Sequence, residues 1–234
     1  FMMGHYKGVF PGPWIFNKLL AIYDYMAGQR YRKYFSKGIR DFLVPGMNTH
    51  DLKGATQFSD AVTDDARLVM RVLHDGNTDG GTAVNYLKAI DTLKISEKVS
   101  GLKVEDQITG EQFTVNASVV INATGTWTDE LRHTLGQKKV IRPLRGSHLV
   151  VPFWRLPCAF SVSFFHAKDK RPVFVFPWEG VVVVGTTDLD HQQNQDEESS
   201  ITSVELEYLL EAVNTQFPEA KLARDDVQAT WSGV

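Results

Sequence analysis

Apolar residues in FNKLLAIYDYM (16–26) recur at helical spacing and predict a helix. The basic and aromatic stretch RYRKYFSKGIR (30–40) follows, then VPGMNTHDLKG, which is rich in turn formers. Asp64 and Asp65 open a second predicted helix, because carboxylates oppose the exposed N–H groups of a helix start. Ala66, Val69, Met70 and Leu73 share one of its faces, and it should stop by the DGNTDGG cluster (75–81). From Thr82 the pattern turns to strands: TAVNYLKAIDTLKIS, SGLKVEDQ and EQFTVNASVVINA. A short helix is expected at 129–135. The segments GSHLVVP, AFSVSFFHA, PVFVFPWEG and VVVVGTTD then read as antiparallel strands, with turns at Asp169-Lys170 and Glu179-Gly180. The stretch SSITSVELEYLLEAVNTQFP reads as a helix with Ser or Thr at its start and Pro218 past its end. VQATWSGV reads as one more strand.

Helix, strand, small meander and a further strand give the order of a βαβ unit with an excursion, so the fold class is α/β to α+β. The 234 residues suffice for one large domain or two small ones. The net charge of -3 leaves no global basic field to attract nucleic acid. The single Cys, Cys158, excludes an internal disulfide and fits a packing role. No apolar run is long enough to span a bilayer, and the first residues, FMMGHYKGVF, lack the pattern of a signal peptide. The sequence lacks a phosphate loop ending in Lys-Ser/Thr, a Gly-x-Gly-x-x-Gly after a strand, and a His pair at zinc spacing.

The predicted strand at 119–123 ends on Ala123-Thr124-Gly125. Small residues at a strand's carboxyl end let a ligand approach the backbone, the usual binding edge of an open α/β sheet. The alternative is a turn in which Gly125 only supplies an unusual dihedral.

Four stretches, DAVTDDARL, VVINATGTWTDELR, RPLRGSHLVVP and FVFPWEGVVVVGTTDLD, occur in this order. Together they resemble the FAD-dependent glycerol-3-phosphate dehydrogenase family, including the glycerophosphate oxidases. The resemblance covers nearly the whole chain and is strongest from Asp60 to Asp190. It implies a Rossmann-like FAD-binding domain interleaved with a substrate domain built on an antiparallel sheet. The FAD-domain segment would be 60–136 and the substrate-domain segments 1–59 and 137–234. It implies that Ala123, Thr124 and Gly125 lie against FAD and that Trp127 walls the site. Thr126 stands where the family usually has Pro. The family's amino-terminal Gly-rich fingerprint and the Arg-Pro pair after SGV are missing, so the chain is expected to be a fragment, inactive alone.

The implied parent reaction oxidises sn-glycerol 3-phosphate to dihydroxyacetone phosphate, with electrons passing to quinone or oxygen. Such a site needs a cation for the phosphate and a proton acceptor. Arg145 and His148 are the candidates for these roles, with a surface or domain-bridging ion pair and a hydrogen-bonded sheet histidine as the alternatives. Thr186, Thr187 and Asp188 are expected to stabilise a turn near the site, with Thr187 on the substrate. The resemblance implies a cytoplasmic location, peripheral at the inner face of the membrane, and leaves a homodimer open. Two other readings stand beside it. Basic and aromatic residues mixed at 30–40 suit an anionic membrane surface, which would make the chain a binding module. A related flavin oxidase acting on an amine is the other.

Overall fold

The computed structural model describes residues 1–36 and 43–234, so Lys37 and Arg40 of the basic stretch at 30–40 lie outside the described residues. The chain divides into two compact units, Phe1–Asp60 with Leu144–Val234, and Ala61–Pro143.

The first unit is built on one large sheet. Its strands are β1 (Met2–Tyr6), β2 (Lys33–Phe35), β3 (Leu52–Gln57) and, after the second unit, β7 (Leu144–Pro152), β8 (Val162–Phe165), β9 (Pro172–Trp178), β10 (Val181–Gly185), β11 (Leu189–Asp190) and β12 (Ala229–Gly233). They lie in the order β2–β3–β1–β8–β9–β10–β7. β12 occupies the other edge of β7, and β11 pairs with its first residues. Every pairing is antiparallel except β1 with β8. The expected antiparallel strands are present, but β7 neighbours β10, not the sequentially next β8.

Strand periodicity gives this sheet two different faces. On one face Leu149, Val184, Val175, Val162 and Met2 stand side by side across five strands, and all are fully buried. Helix α4 (Ser203–Gln216) packs on this face, with Leu209 and Val213 in the same core. Its start is a capping box: the Thr202 hydroxyl accepts from the Glu205 N–H at 3.3 Å, and Glu205 accepts from the Thr202 N–H at 2.9 Å. Cys158 packs in this core, and burial pushes its thiol up to about 12.

One residue further along each strand, the opposite face carries the row Trp231, His148, Gly185, Phe174, Ser163, Met3, Thr56 and Tyr34. Helix α1 (Pro13–Met26) packs beside β3 on this face. The Phe16 ring meets His5 at 5.4 Å and Phe58 at 5.7 Å. Leu20 and Asp24 are buried, and Asp24 is paired with Arg32.

The second unit holds helix α2 (Asp65–Thr78), an antiparallel sheet of β4 (Leu87–Ile95), β5 (Lys98–Asp106) and β6 (Gln112–Asn116), and the short helix α3 (Thr128–Thr134). Asp64 caps α2 by accepting from the Arg67 N–H at 3.0 Å. The expected domain boundary fell at 136/137, whereas 137–143 stay with this unit. The Asp129 carboxylate holds the N–H groups of Val140 and Ile141 at 3.0 Å and so keeps that segment against α3.

The strand expected at 119–123 is not formed. Val119 and Ile121 are exposed, and no described strand pairs with them. Their β propensity cannot act without a ladder partner, since a strand is stabilised by its cross-strand neighbours.

If α4 seats the core as described, Leu209→Ala should cost about 2–5 kcal/mol. Urea unfolding of wild type and variant measures this. A loss under about 1 kcal/mol would show that α4 is not anchored through Leu209.

Candidate functional site

Strand β7 carries most of the chemistry in the first unit. Its side chains alternate, so Arg145, Ser147 and Leu149 face the core while Gly146, His148 and Val150 face the other way. Arg145 and His148 therefore lie on opposite faces, and the structure does not bring the two candidates together.

Arg145 is buried and engages Glu205 of α4 through two hydrogen bonds, Nη2 to Oε2 at 2.7 Å and Nε to Oε1 at 3.3 Å. The expected alternative was a surface or domain-bridging pair, whereas this pair is buried and lies within the first unit. The same carboxylate accepts from the Ser147 hydroxyl at 2.8 Å and the Thr187 hydroxyl at 2.9 Å. Thr187 also accepts from the Ser147 N–H at 2.9 Å, and Ser147 reaches Ser232 of β12 at 2.8 Å. The Thr187 hydroxyl thus ties the 186–188 segment to β7 and to Glu205. Burial tends to raise the Glu205 pKa. The Thr202 N–H and hydroxyl, Arg145 and Ser147 outweigh it and hold the carboxyl at about 2.

His148 is half-buried on the opposite face. Its ring stacks on Trp231 at 4.9 Å and 16°. Its Cδ2–Nε2 edge lies over Gly185, where a Cβ would come within 2.1 Å of Cδ2 and 2.7 Å of Nε2. The absence of a side chain at 185 is therefore what lets the edge of the imidazole approach β10. Burial lowers the pKa of His148 below its ordinary value, so the ring is neutral at pH 7. Its Nδ1 is buried and has no hydrogen-bond partner among the described residues. Such a group costs stability on the order of 1–3 kcal/mol.

In the second unit Ala123, Thr124 and Gly125 form an exposed bend leading into the turn Gly125–Trp127. Gly125 has φ +57°, and a Cβ there would meet nothing within 4 Å. Asn122 shapes the bend: its Oδ1 accepts from the Thr124 hydroxyl at 2.8 Å, and its Nδ2 donates to the Thr128 carbonyl at 3.0 Å. The backbone of Ala123–Gly125 is exposed, and Trp127 two residues on is partly exposed. Among the described residues no His, Cys, Asp and Glu cluster could hold a metal.

Sequence reasoning missed Glu205, Ser147, Gly185 and Trp231. Only Glu205 left a local signal, the Thr-Ser-Val-Glu capping box at 202–205.

The chain belongs to the FAD-dependent oxidoreductase family, whose model matches residues 17–234. It is 35% identical, over 98% of its length, to the aerobic glycerol-3-phosphate dehydrogenase of Staphylococcus haemolyticus, and 34% identical to that of Staphylococcus saprophyticus. It spans 42% of the length of each. The glycerol-3-phosphate dehydrogenase of Bacillus halodurans, solved in complex with FAD, superposes with TM-score 0.82 at 28% identity, over 99% of this chain and 42% of that one. The glycerophosphate oxidase of Mycoplasma pneumoniae, solved with FAD bound, shares the fold at TM-score 0.71 and 18% identity, over 99% of this chain and 59% of that one.

The Glu205 network sets a pH dependence. A depressed carboxyl contributes stability that is complete above its unfolded value of 4.5 and is lost as pH falls toward about 2. The shift corresponds to about 3 kcal/mol. Glu205→Gln should be strongly destabilised at pH 7, because Arg145 stays buried without its anion. It should also lose less stability than wild type between pH 5 and pH 2.5. Urea midpoints at several pH values test this, and equal slopes for the two proteins would remove Glu205 as the titrating group.

Proposed function

We propose that this chain is part of an enzyme that oxidises sn-glycerol 3-phosphate to dihydroxyacetone phosphate. The observation that carries the reading is the 35% identity to an aerobic glycerol-3-phosphate dehydrogenase across 98% of the chain. The geometry supports it through His148. A neutral imidazole with an unsatisfied nitrogen, its edge over a glycine and its face backed by an indole, suits a proton acceptor for the substrate hydroxyl. Bound FAD supplies the two-electron acceptor that such an oxidation needs.

In this proposal His148 takes the hydroxyl proton, and Trp231 and Gly185 fix its ring plane. Ala123, Thr124 and Gly125 offer bare backbone to the cofactor, and Trp127 borders it. Arg145 is committed to Glu205, so its contribution is to hold β7 and the 186–188 turn in register. Thr187 shares that duty. A quinone is the proposed electron acceptor. The amine-oxidase alternative rests on likeness to the glycine oxidase of Bacillus cereus, at TM-score 0.69 and 18% identity, which is likeness of fold alone. Assay of the intact protein with glycerol 3-phosphate and with glycine separates the two readings.

In the intact protein His148→Ala should lower turnover with glycerol 3-phosphate by about a hundredfold or more while flavin content stays near wild type. Near-normal turnover would make His148 a structural residue.

The chain Phe1–Val234 on its own should bind FAD no tighter than about millimolar. It contains no Gly-rich turn to hold a pyrophosphate, and a one-sided site still bears the entropy cost of fixing a large ligand. Titration of FAD fluorescence measures this. A yellow protein with one FAD per chain would show that other residues complete the cofactor site.

A further inference from the structure

The outer face of β7 puts an aromatic plane against His148. Trp231 lies opposite His148 in the β7–β12 pairing, and the two rings are nearly parallel, with centres 4.9 Å apart at 16°. The indole is held there from behind. Ser232, the next residue, turns to the other face and meets the Ser147 hydroxyl at 2.8 Å, while its carbonyl accepts from the Ser199 hydroxyl at 3.0 Å. Trp231 is therefore fixed as a wall although it is 46% exposed.

Strand register shows what else shares this face. On β10 its residues are Val181, Val183 and Gly185, and on β12 they are Ala229, Trp231 and Gly233. None of these side chains titrates. On β7 itself Arg145 stands on the inner face and is engaged by Glu205. Asp190, set opposite Leu144, is a carboxylate that register puts on the outer face, four residues or about 13 Å along β7 from His148. Asp188, between β10 and β11, is paired with Arg171 at 3.8 Å. The lowered pKa of His148 has burial as its cause, with no charged group among the causes. Its Nδ1 has no hydrogen-bond partner among the described residues.

A second stack in the same unit is built differently. His166 lies on Tyr208 at 3.9 Å and 6°, but its Nδ1 accepts from the Lys168 N–H at 3.1 Å and its Nε2 donates to the Tyr208 carbonyl at 3.2 Å. Both of its nitrogens are occupied, and that stack serves packing. His148 has the stack without those hydrogen bonds.

We infer that the π face of Trp231 stabilises the positive charge of His148 when the imidazole is protonated. An indole face is negative and attracts a cation lying over it, so it favours the imidazolium over the neutral ring. Covering the ring has the opposite effect, because exclusion of water disfavours the charge. The part this contact plays in turnover rests on the assignment of His148 as the base. There the hydroxyl proton leaves oxygen and bonds to the imidazole, and the indole meets the charge that appears. Trp231 acts through His148 and is a positioning residue.

The test is a pH titration of the chain carrying 13C at histidine Cε1, followed by NMR, with His148→Gln identifying the resonance. Mono-, di- and trifluorotryptophan placed at 231 keep the shape and cover of the indole and withdraw its π density step by step. Proton binding by His148 should weaken in that order. The trifluorinated protein should lose roughly twofold to fivefold in affinity, the worth of a cation–π contact at a partly exposed site. Trifluorotryptophan at Trp154, which is 73% exposed elsewhere on the unit, should leave the His148 titration unchanged. In the intact protein the acid limb of the kcat/KM profile with glycerol 3-phosphate should move to lower pH by the same factor. An unchanged or raised proton affinity across the 231 series would overturn the inference and leave Trp231 a cover. A graded loss beside normal turnover of His148→Ala would uphold the contact and remove the base assignment instead.

Discussion

The buried carboxylate of Glu205 is the constraint on which the first unit depends. It accepts hydrogen bonds from Arg145 and Ser147 of β7, from Thr187 after β10, and from Thr202 at the start of its own helix. Through Ser147 the network extends to Ser232 on β12. A charge this deep would be costly if any large part of it were unpaired. It is tolerated because Arg145 supplies a bidentate cation and four further groups, from Ser147, Thr187 and Thr202, supply N–H or O–H donors. Four sequence-distant segments can therefore meet in one arrangement only. Such a network specifies geometry more than it adds stability, since an apolar replacement of the same volume could be as favourable.

The consequence for His148 follows from the period of a strand. Arg145 and Ser147 pin the inner side of β7, so His148 between Ser147 and Leu149 must face outward. Its two cross-strand neighbours then decide its environment. Trp231 on β12 gives it a flat wall, and Gly185 on β10 gives it floor space. A slip of one residue would set Thr230 or Ser232 in the place of Trp231, and Val184 or Thr186 in the place of Gly185, and so remove both walls of the imidazole. The inner network and the outer base are thus linked by register and not by contact.

Much of this was legible in the sequence, and the failures have physical causes. The helix starts at Asp64 and Thr202 and the turns at Lys170 and Glu179 depend on near neighbours, so local pattern found them. The strand at 119–123 was misread because apolar and β-branched residues satisfy a pattern without guaranteeing a partner. Arg145 invited a phosphate-binding role because a cation in a motif gives no sign of an acid sixty residues away. Gly185 and Trp231 became part of the His148 site only through pairings across the sheet. Contacts of that range are set by topology, and composition carries no trace of them.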